Sequence, residues 1–264
     1  MANLAFPQLT SGAMAQYPLR KRRVIQSAVN TFADGSMITS NINANTQRVW
    51  ELAYTDLTSV DQTALQNLFV NCKGPLMPFV FIDPTDNMLG NSGDLTSGAW
   101  MAAPLLSVTG GAPDPLGGNT AFMLVNDSQV DQQVSQIIMA PANFQYCFSL
   151  YAMAAVNSPF RLGLNTSASQ QSQTFTATGN WRRLAASVEL TDNETTFSAS
   201  IIVPAAQTVV VWGPQLEPQL SPSRYRVTAA SGGVYQNAHF LGNSLTFESD
   251  APGLFSTVIS IETT

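Results

Sequence analysis

Charge is scarce in this 264-residue chain: Asp, Glu, Lys and Arg together make up 11%, well under the share usual for a globular domain. The formal net charge is −6 at pH 7, so there is no general basic face for a phosphate backbone, and nucleic acid is not an expected partner. There is one histidine, His239. A Ser-His-Asp triad or a multi-histidine metal site would have to be built around that residue alone, so it reads as a structural or surface histidine. The two cysteines, Cys72 and Cys147, fall in segments assigned below to different modules. Neither a disulfide framework nor a cysteine metal site is indicated, and both read as small buried hydrophobes. No apolar run reaches the length of a bilayer span. The N-terminus MANLAFPQLTSGAM lacks the basic stretch and apolar core of a secretory signal, so the expectation is synthesis in the cytosol without membrane insertion. A Gly-rich phosphate loop and a G-x-S-x-G elbow are also missing. The residues therefore lead us to expect neither an enzyme nor a bound cofactor or metal.

Hydrophobic residues make up 45%, and Ser, Thr, Asn and Gln supply a polar surface with little charge. The length suits two ordinary domains. In RVWELAYT, Trp50, Leu52 and Tyr54 share one face of a half-buried strand. A helix follows, with Ser59 as the expected cap and Gln62 at the capping-box position. Its stripe is Leu65, Leu68, Phe69 and Cys72, and Gly74 is the stop. PFVFIDPTDN then reads as a short strand running into a turn, where Asp83 and Asp86 accept backbone N–H bonds rather than act as paired catalytic carboxylates or a calcium loop.

Beyond Leu89 the texture changes to Gly-, Ser-, Asn- and Pro-rich turns between short β runs, the pattern of a sandwich or jelly roll. In FQYCFSLYAMA, Tyr146, Phe148, Leu150 and Ala152 form the core face, and Cys147, Ser149, Tyr151 and Met153 a partly polar outer one. In VVVWGPQLEPQLSPSRYRVT the three prolines each lack a donor, so regular structure is expected to stop near Gly213. The chain ends on a β-branched run, Ser256 to Thr264, that needs partners, while the first segment is short of strands. The expected fold class is therefore mainly β: a discontinuous β-rich domain with one α-helix, residues 1–88 and 229–264, carrying an inserted β-sandwich, residues 89–228.

WELAYTDLTSVDQTALQNLF followed by GPLMPFVFIDPTDN resembles the N-terminal domain of phage distal tail or minor tail proteins. GDLTSGAW, TGNWRRLAASVEL and VWGPQLEPQLSPSRYRVT are similar to carbohydrate-binding-like jelly-roll modules of phage tail proteins, from which Pro214 departs where a small residue is usual. The resemblance covers most of the chain and fits residues 1–45 least well. It implies a structural virion protein at the tail tip, assembled in the host cytoplasm. Its subunits would form a homo-oligomeric ring, a hexamer, joining tail tube to hub or baseplate. The jelly roll would project outward to a host glycan or a tail fibre. The alternative is a stand-alone glycan-binding adhesin.

For sugar contact the expected residues are Tyr151 on the polar face, with Arg161 and Asn165 on the neighbouring strand as hydrogen-bond donors. Trp100, Trp181 and Trp212 read as core rather than as stacking platforms. The one dense basic cluster, Arg20, Lys21, Arg22 and Arg23, reads either as a solvated loop or as a subunit or partner interface, because like charges in a ring need an acidic neighbour.

Replacing residues 92–226 by a short Gly-Ser bridge should leave a folded outer domain. Circular dichroism and thermal melting check this, and an unfolded product counts against insertion.

Overall fold

The computed structural model describes residues 4–25, 27–41 and 47–263. Elements β1 (Leu19–Val24), β2 (Ser27–Thr31), β3 (Met37–Asn41), β4 (Gln47–Thr58), α1 (Ser59–Asn71) and β5 (Phe79–Ile82) come first. They are followed by β6 (Met101–Ala102), β7 (Leu106–Ala112), β8 (Ala121–Asn126), β9 (Gln132–Ile138) and β10 (Gln145–Met153). Next are β11 (Ser158–Asn165), β12 (Gln170–Ala177), β13 (Arg182–Glu189), β14 (Phe197–Val203) and β15 (Gln207–Glu217). The chain closes with β16 (Val234–Phe240), β17 (Glu248–Ala251) and β18 (Leu254–Thr263). Among the described residues the protein is mainly β with a single α-helix, and a β-sandwich is inserted into a discontinuous β-rich domain. No helix there is long and apolar enough to cross a membrane.

Two compact units divide the chain. The first comprises residues 1–10, 15–81 and 235–264. Its sheet runs β1-β4-β18-β16-β5, with β17 beside β18. The C-terminal strand supplies the partner that β4 lacks, antiparallel from Leu254 opposite Thr58 to Thr263 opposite Arg48. Packed rings fill the core: Trp50 lies 5.1 Å from Phe81, Phe6 5.6 Å from Phe81, and Phe79 4.8 Å from Phe240 between ring centroids.

Helix α1 starts one residue before the sequence suggests. Thr58, with extended backbone, is the N-cap and Asp61 closes the capping box, in place of Ser59 and Gln62. Asp61 wins because its buried carboxylate serves two segments at once. It accepts from the Thr58 backbone (3.2 Å) and hydroxyl (2.6 Å) and from the Thr10 backbone (2.7 Å) and hydroxyl (3.0 Å). Burial pushes the carboxyl's pKa up, but these bonds outweigh it and hold the group below its ordinary value. Leu65, Leu68 and Cys72 are buried, Phe69 is half-buried against Phe240, and Gly74 ends the helix at φ +64°. His239 is structural: its Nδ1 lies 2.9 Å from the Pro75 carbonyl.

The second unit comprises residues 11–14 and 82–234. Its two five-stranded sheets run β13-β10-β15-β8-β7 and β12-β11-β14-β9-β6. Between them lie Tyr146, Phe148 and Leu150 of the first sheet and Phe160, Leu162 and Ile201 of the second, all fully buried. Residues 82–88 and 229–234 group with this unit, where Asn87 bonds to Pro214, Leu216 and Arg226. Asp83 and Asp86 are turn residues: Asp83 accepts from the Thr85 backbone at 2.9 Å and Asp86 from the Asn87 backbone at 3.0 Å.

Regular structure does not stop at Gly213. Strand β15 continues to Glu217 because Gly213 (φ +64°) and Pro214 together face Leu150 of β10, a bulge in which proline's missing donor costs no ladder bond. The outer face of β10 also differs from expectation. Cys147 and Ser149 are fully buried as well, since the chain returning after β15 is tied across that side: Arg183 donates to the Ser223 carbonyl and to Ser149 Oγ.

Leu68→Ala should cost on the order of 2–5 kcal/mol of stability, measured by denaturant unfolding. Asp61→Ala should cost about 1–2 kcal/mol through the lost cap. The folded carboxyl's pKa is lowered, so its contribution is complete above the ordinary carboxylate value and disappears as pH falls through the folded one. In Asp61→Asn that acid-dependent loss below about pH 4 should be smaller than in the parent.

Candidate functional site

Three aromatic side chains meet on the outer face of the first sandwich sheet. Tyr151 of β10 stands opposite Trp212 of β15, with ring centroids 5.4 Å apart at 65°. Trp212 in turn meets Tyr225 of the returning chain at 4.8 Å and 62°. The bulge makes this possible. A Cβ on Gly213 would sit 3.2 Å from the Tyr225 ring, and the positive φ there also favours glycine, so glycine lets the ring lie against the backbone beside Trp212.

Polar groups fix each ring. Trp212 Nε1–H donates to Thr120 Oγ at 2.9 Å, and that hydroxyl donates at 2.7 Å to Asp114 Oδ2. Asp114 also accepts backbone N–H bonds from Leu116 (2.8 Å), Gly118 (3.0 Å) and Thr120 (3.1 Å), which folds the 114–120 loop around one carboxylate. The Thr120 hydroxyl is the largest cause; burial opposes it, and the three amides add to the lowering, so that the pKa is held down to about 2. The Tyr225 hydroxyl lies 3.2 Å from Ser92 Oγ. Burial raises its pKa, and the Ser92 bond offsets this in part. The Arg183 guanidinium lies 5.6 Å from the Tyr151 centroid. Beneath, burial pushes the Cys147 thiol up to about 12, with Glu217 adding to the rise and Arg183 opposing it, so the thiol is inert.

These rings wall a cavity of about 430 Å³ that Phe122, Thr120 and Arg224 also line. The volume lies within the range of small-ligand sites. Three partly exposed rings beside hydroxyls and a guanidinium suit a ligand with an apolar C–H face and a rim of hydroxyls. No Asp or Glu is among the lining residues.

Of the residues predicted for sugar contact, only Tyr151 lies here. Arg161 and Asn165 are on β11, which follows β10 in sequence but belongs to the opposite sheet. The connection crosses the sandwich, so the expected neighbourhood does not exist. Arg161 pairs with Asp131, and Asn165 donates to Ser200 Oγ at 3.2 Å. Trp100 is buried as expected, and Trp181 is half-buried. Trp212, taken for core, is also half-buried, on the outer face. The signal was present in TVVVWG: Val209 and Val211 are buried, so period-2 alternation sends Val210 and Trp212 outward. Tyr225 had no such signal, since it lies in irregular chain. In the other unit, Arg20, Lys21, Arg22 and Arg23 form an edge strand rather than a loop. Arg20 meets Glu51 at 3.1 Å, and Lys21 Nζ lies 5.5 Å from the Trp50 centroid. Among the described residues no group of three or more His, Cys, Asp or Glu could hold a metal ion.

No family model and no curated protein sequence matches this chain. Similar solved structures include the enzymatically active domain of bacteriophage CBA120 tailspike protein 4, with 12% identity and TM-score 0.40, over 52% of this chain and 22% of that one. The C-terminal family 22 carbohydrate-binding module of Clostridium thermocellum Xyn10B aligns at 15% identity and TM-score 0.42, over 54% and 99%. TmCBM61, solved with β-1,4-galactotriose, aligns at 16% identity and TM-score 0.36, over 49% and 97%. The chain thus spans about a fifth of the tailspike domain's length.

Asp114→Ala should release the loop that holds Thr120 and change Trp212 emission, read as the difference from a Trp212→Phe control, while the melting temperature falls only slightly. The carboxyl's lowered pKa means that in the folded protein it stays ionised, and keeps its bonds, until pH falls toward about 2. The parent's Trp212 emission should therefore stay constant from neutral pH to about pH 3.

Proposed function

We propose that the inserted sandwich is a saccharide-contact module and that the discontinuous domain is its assembly platform in a phage tail tip. The Tyr151–Trp212–Tyr225 cluster carries the first half. Aromatic surface left half-exposed in a rigid pocket is costly unless something covers it, and a pyranose offers a C–H face to the ring and hydroxyls to the rim. Thr120, Ser92 and Arg224 stand at that rim with hydroxyls and a guanidinium. Hydrolysis of a glycoside normally takes two placed carboxylates. The lining offers none, which favours binding over cleavage.

The second half rests on the motifs of strand β4, helix α1 and strand β5 that resemble distal tail proteins, and on the basic edge strand β1 of the same sheet. A ring suits a shallow sugar site, because several weak contacts made together raise avidity by about 10²- to 10⁴-fold.

Tyr151→Ala and Trp212→Ala, each checked for an unchanged fold, should abolish binding of the full chain to a panel of bacterial surface glycans in calorimetry or array assays. Particles carrying Tyr151→Ala should assemble yet fail to adsorb. Glycan binding unchanged in both variants would remove the pocket from the reading and leave the assembly platform standing.

A further inference from the structure

The first unit carries two surfaces that its own fold leaves unused. Strands β2 and β3 pair only with each other among the described residues, from Val29 opposite Thr39 to Thr31 opposite Met37. On and beside this two-stranded arm Val29, Phe32, Met37 and Ile38 are each at least half exposed, and Ile25 leads into it 70% exposed. A two-stranded ribbon is marginal by itself in water. Large apolar side chains concentrated on one mark a surface that is covered in use. The register sends Val29 and Met37 to one face and Ile38 to the other, so the arm is apolar on both sides.

Elsewhere in the unit a groove of about 210 Å³ is lined by Phe69 of α1, Phe240, Leu241, Leu245, and Val258 and Ile259 of β18. Its rim is open, with Val258 61% and Leu241 43% exposed.

The charges beside the two surfaces are opposite. The arm is preceded by β1, on which Arg20 to Arg23 are exposed, at one edge of the main sheet. The groove leads from Leu245 into β17, where Glu248 and Asp250 are exposed. Strand β17 lies on the side of β18 away from β4 and β1. In a chain with so little charge, a basic edge and an acidic edge on opposite sides of one sheet provide direct complementarity between copies.

We propose that the arm of one subunit docks in the groove of a second copy of this chain, with Arg22 and Arg23 facing Glu248 and Asp250. The two surfaces differ, so the contact is head-to-tail, and repetition closes a ring or runs on as a filament. Apolar burial supplies most of the attraction, while the charges set direction and disfavour the reversed pairing. The inference rests on the assembly reading of this unit and is independent of the sugar pocket.

Sedimentation velocity of the full chain over a range of concentrations tests it. The parent should self-associate. Phe32→Ser with Ile38→Ser, both exposed and therefore tolerated by the fold, should weaken association by about tenfold or more. Arg22→Glu with Arg23→Glu should weaken it too, and adding Glu248→Arg and Asp250→Arg should restore it. A parent that stays monomeric overturns both the docking and the assembly reading. Assembly that ignores the arm substitutions, or charge reversal that the second pair does not repair, overturns the docking alone.

Discussion

The inserted sandwich depends on the buried side chain of Asn87. Its amide donates to the Pro214 carbonyl at 3.0 Å and the Arg226 carbonyl at 3.2 Å. Its oxygen accepts from the Leu89 amide at 3.1 Å and the Leu216 amide at 3.0 Å. Four bonds use the full capacity of an Asn side chain. They join the chain entering the unit, the bulge in β15, and the chain leaving it. Aspartate could accept here but not donate, and leucine could do neither, so either would leave backbone groups buried and unpaired at substantial cost.

That knot explains why a proline-rich stretch ends the module without ending its sheet. Beyond Val211 strand β15 no longer pairs with β8, and Asn87 bonds the Pro214 carbonyl in the bulge and the Leu216 amide after it. Strand β15 then resumes, with the Met88 amide donating to the Leu216 carbonyl at 2.9 Å. The returning chain is held near enough for Tyr225 to reach Trp212. A backbone irregularity in the strand thus becomes the wall of a pocket.

Patterns of short range carried most of what could be read from sequence. The alternation Trp50, Leu52, Tyr54 and the stripe Leu65, Leu68, Cys72 are properties of single elements, and all six are buried. The need of the C-terminal run for a partner was legible as well, because a β-branched strand cannot stand alone. What sequence could not give was pairing across long separations. Arg161 and Asn165 lie close behind Tyr151 in the chain, yet no periodicity tells whether successive strands share a sheet or cross between two. The helix cap failed for a related reason: Asp61 is fixed by Thr10, which is 51 residues away. Trp212 was a different case, since the alternation was visible and the bias of tryptophan toward burial outweighed it.

The construction of the pocket separates what must stay fixed from what can vary. Its floor is set by outward positions of strands whose inward positions, Leu150, Ala152 and Val211, are core. Its rim comes from loops at 92–93, 116–120 and 224–227, and the middle one is organised by Asp114 alone. Rim side chains such as Leu116 and Arg224 are exposed, so exchanging them alters the pocket's surface without opening a cavity in the core. Asn87, Gly213 and Asp114 have no such freedom: each satisfies backbone geometry on which several neighbours depend. Change in the pocket's surface is therefore expected to accumulate at the rim, while Asn87 and Asp114, which shape it, stand outside its lining.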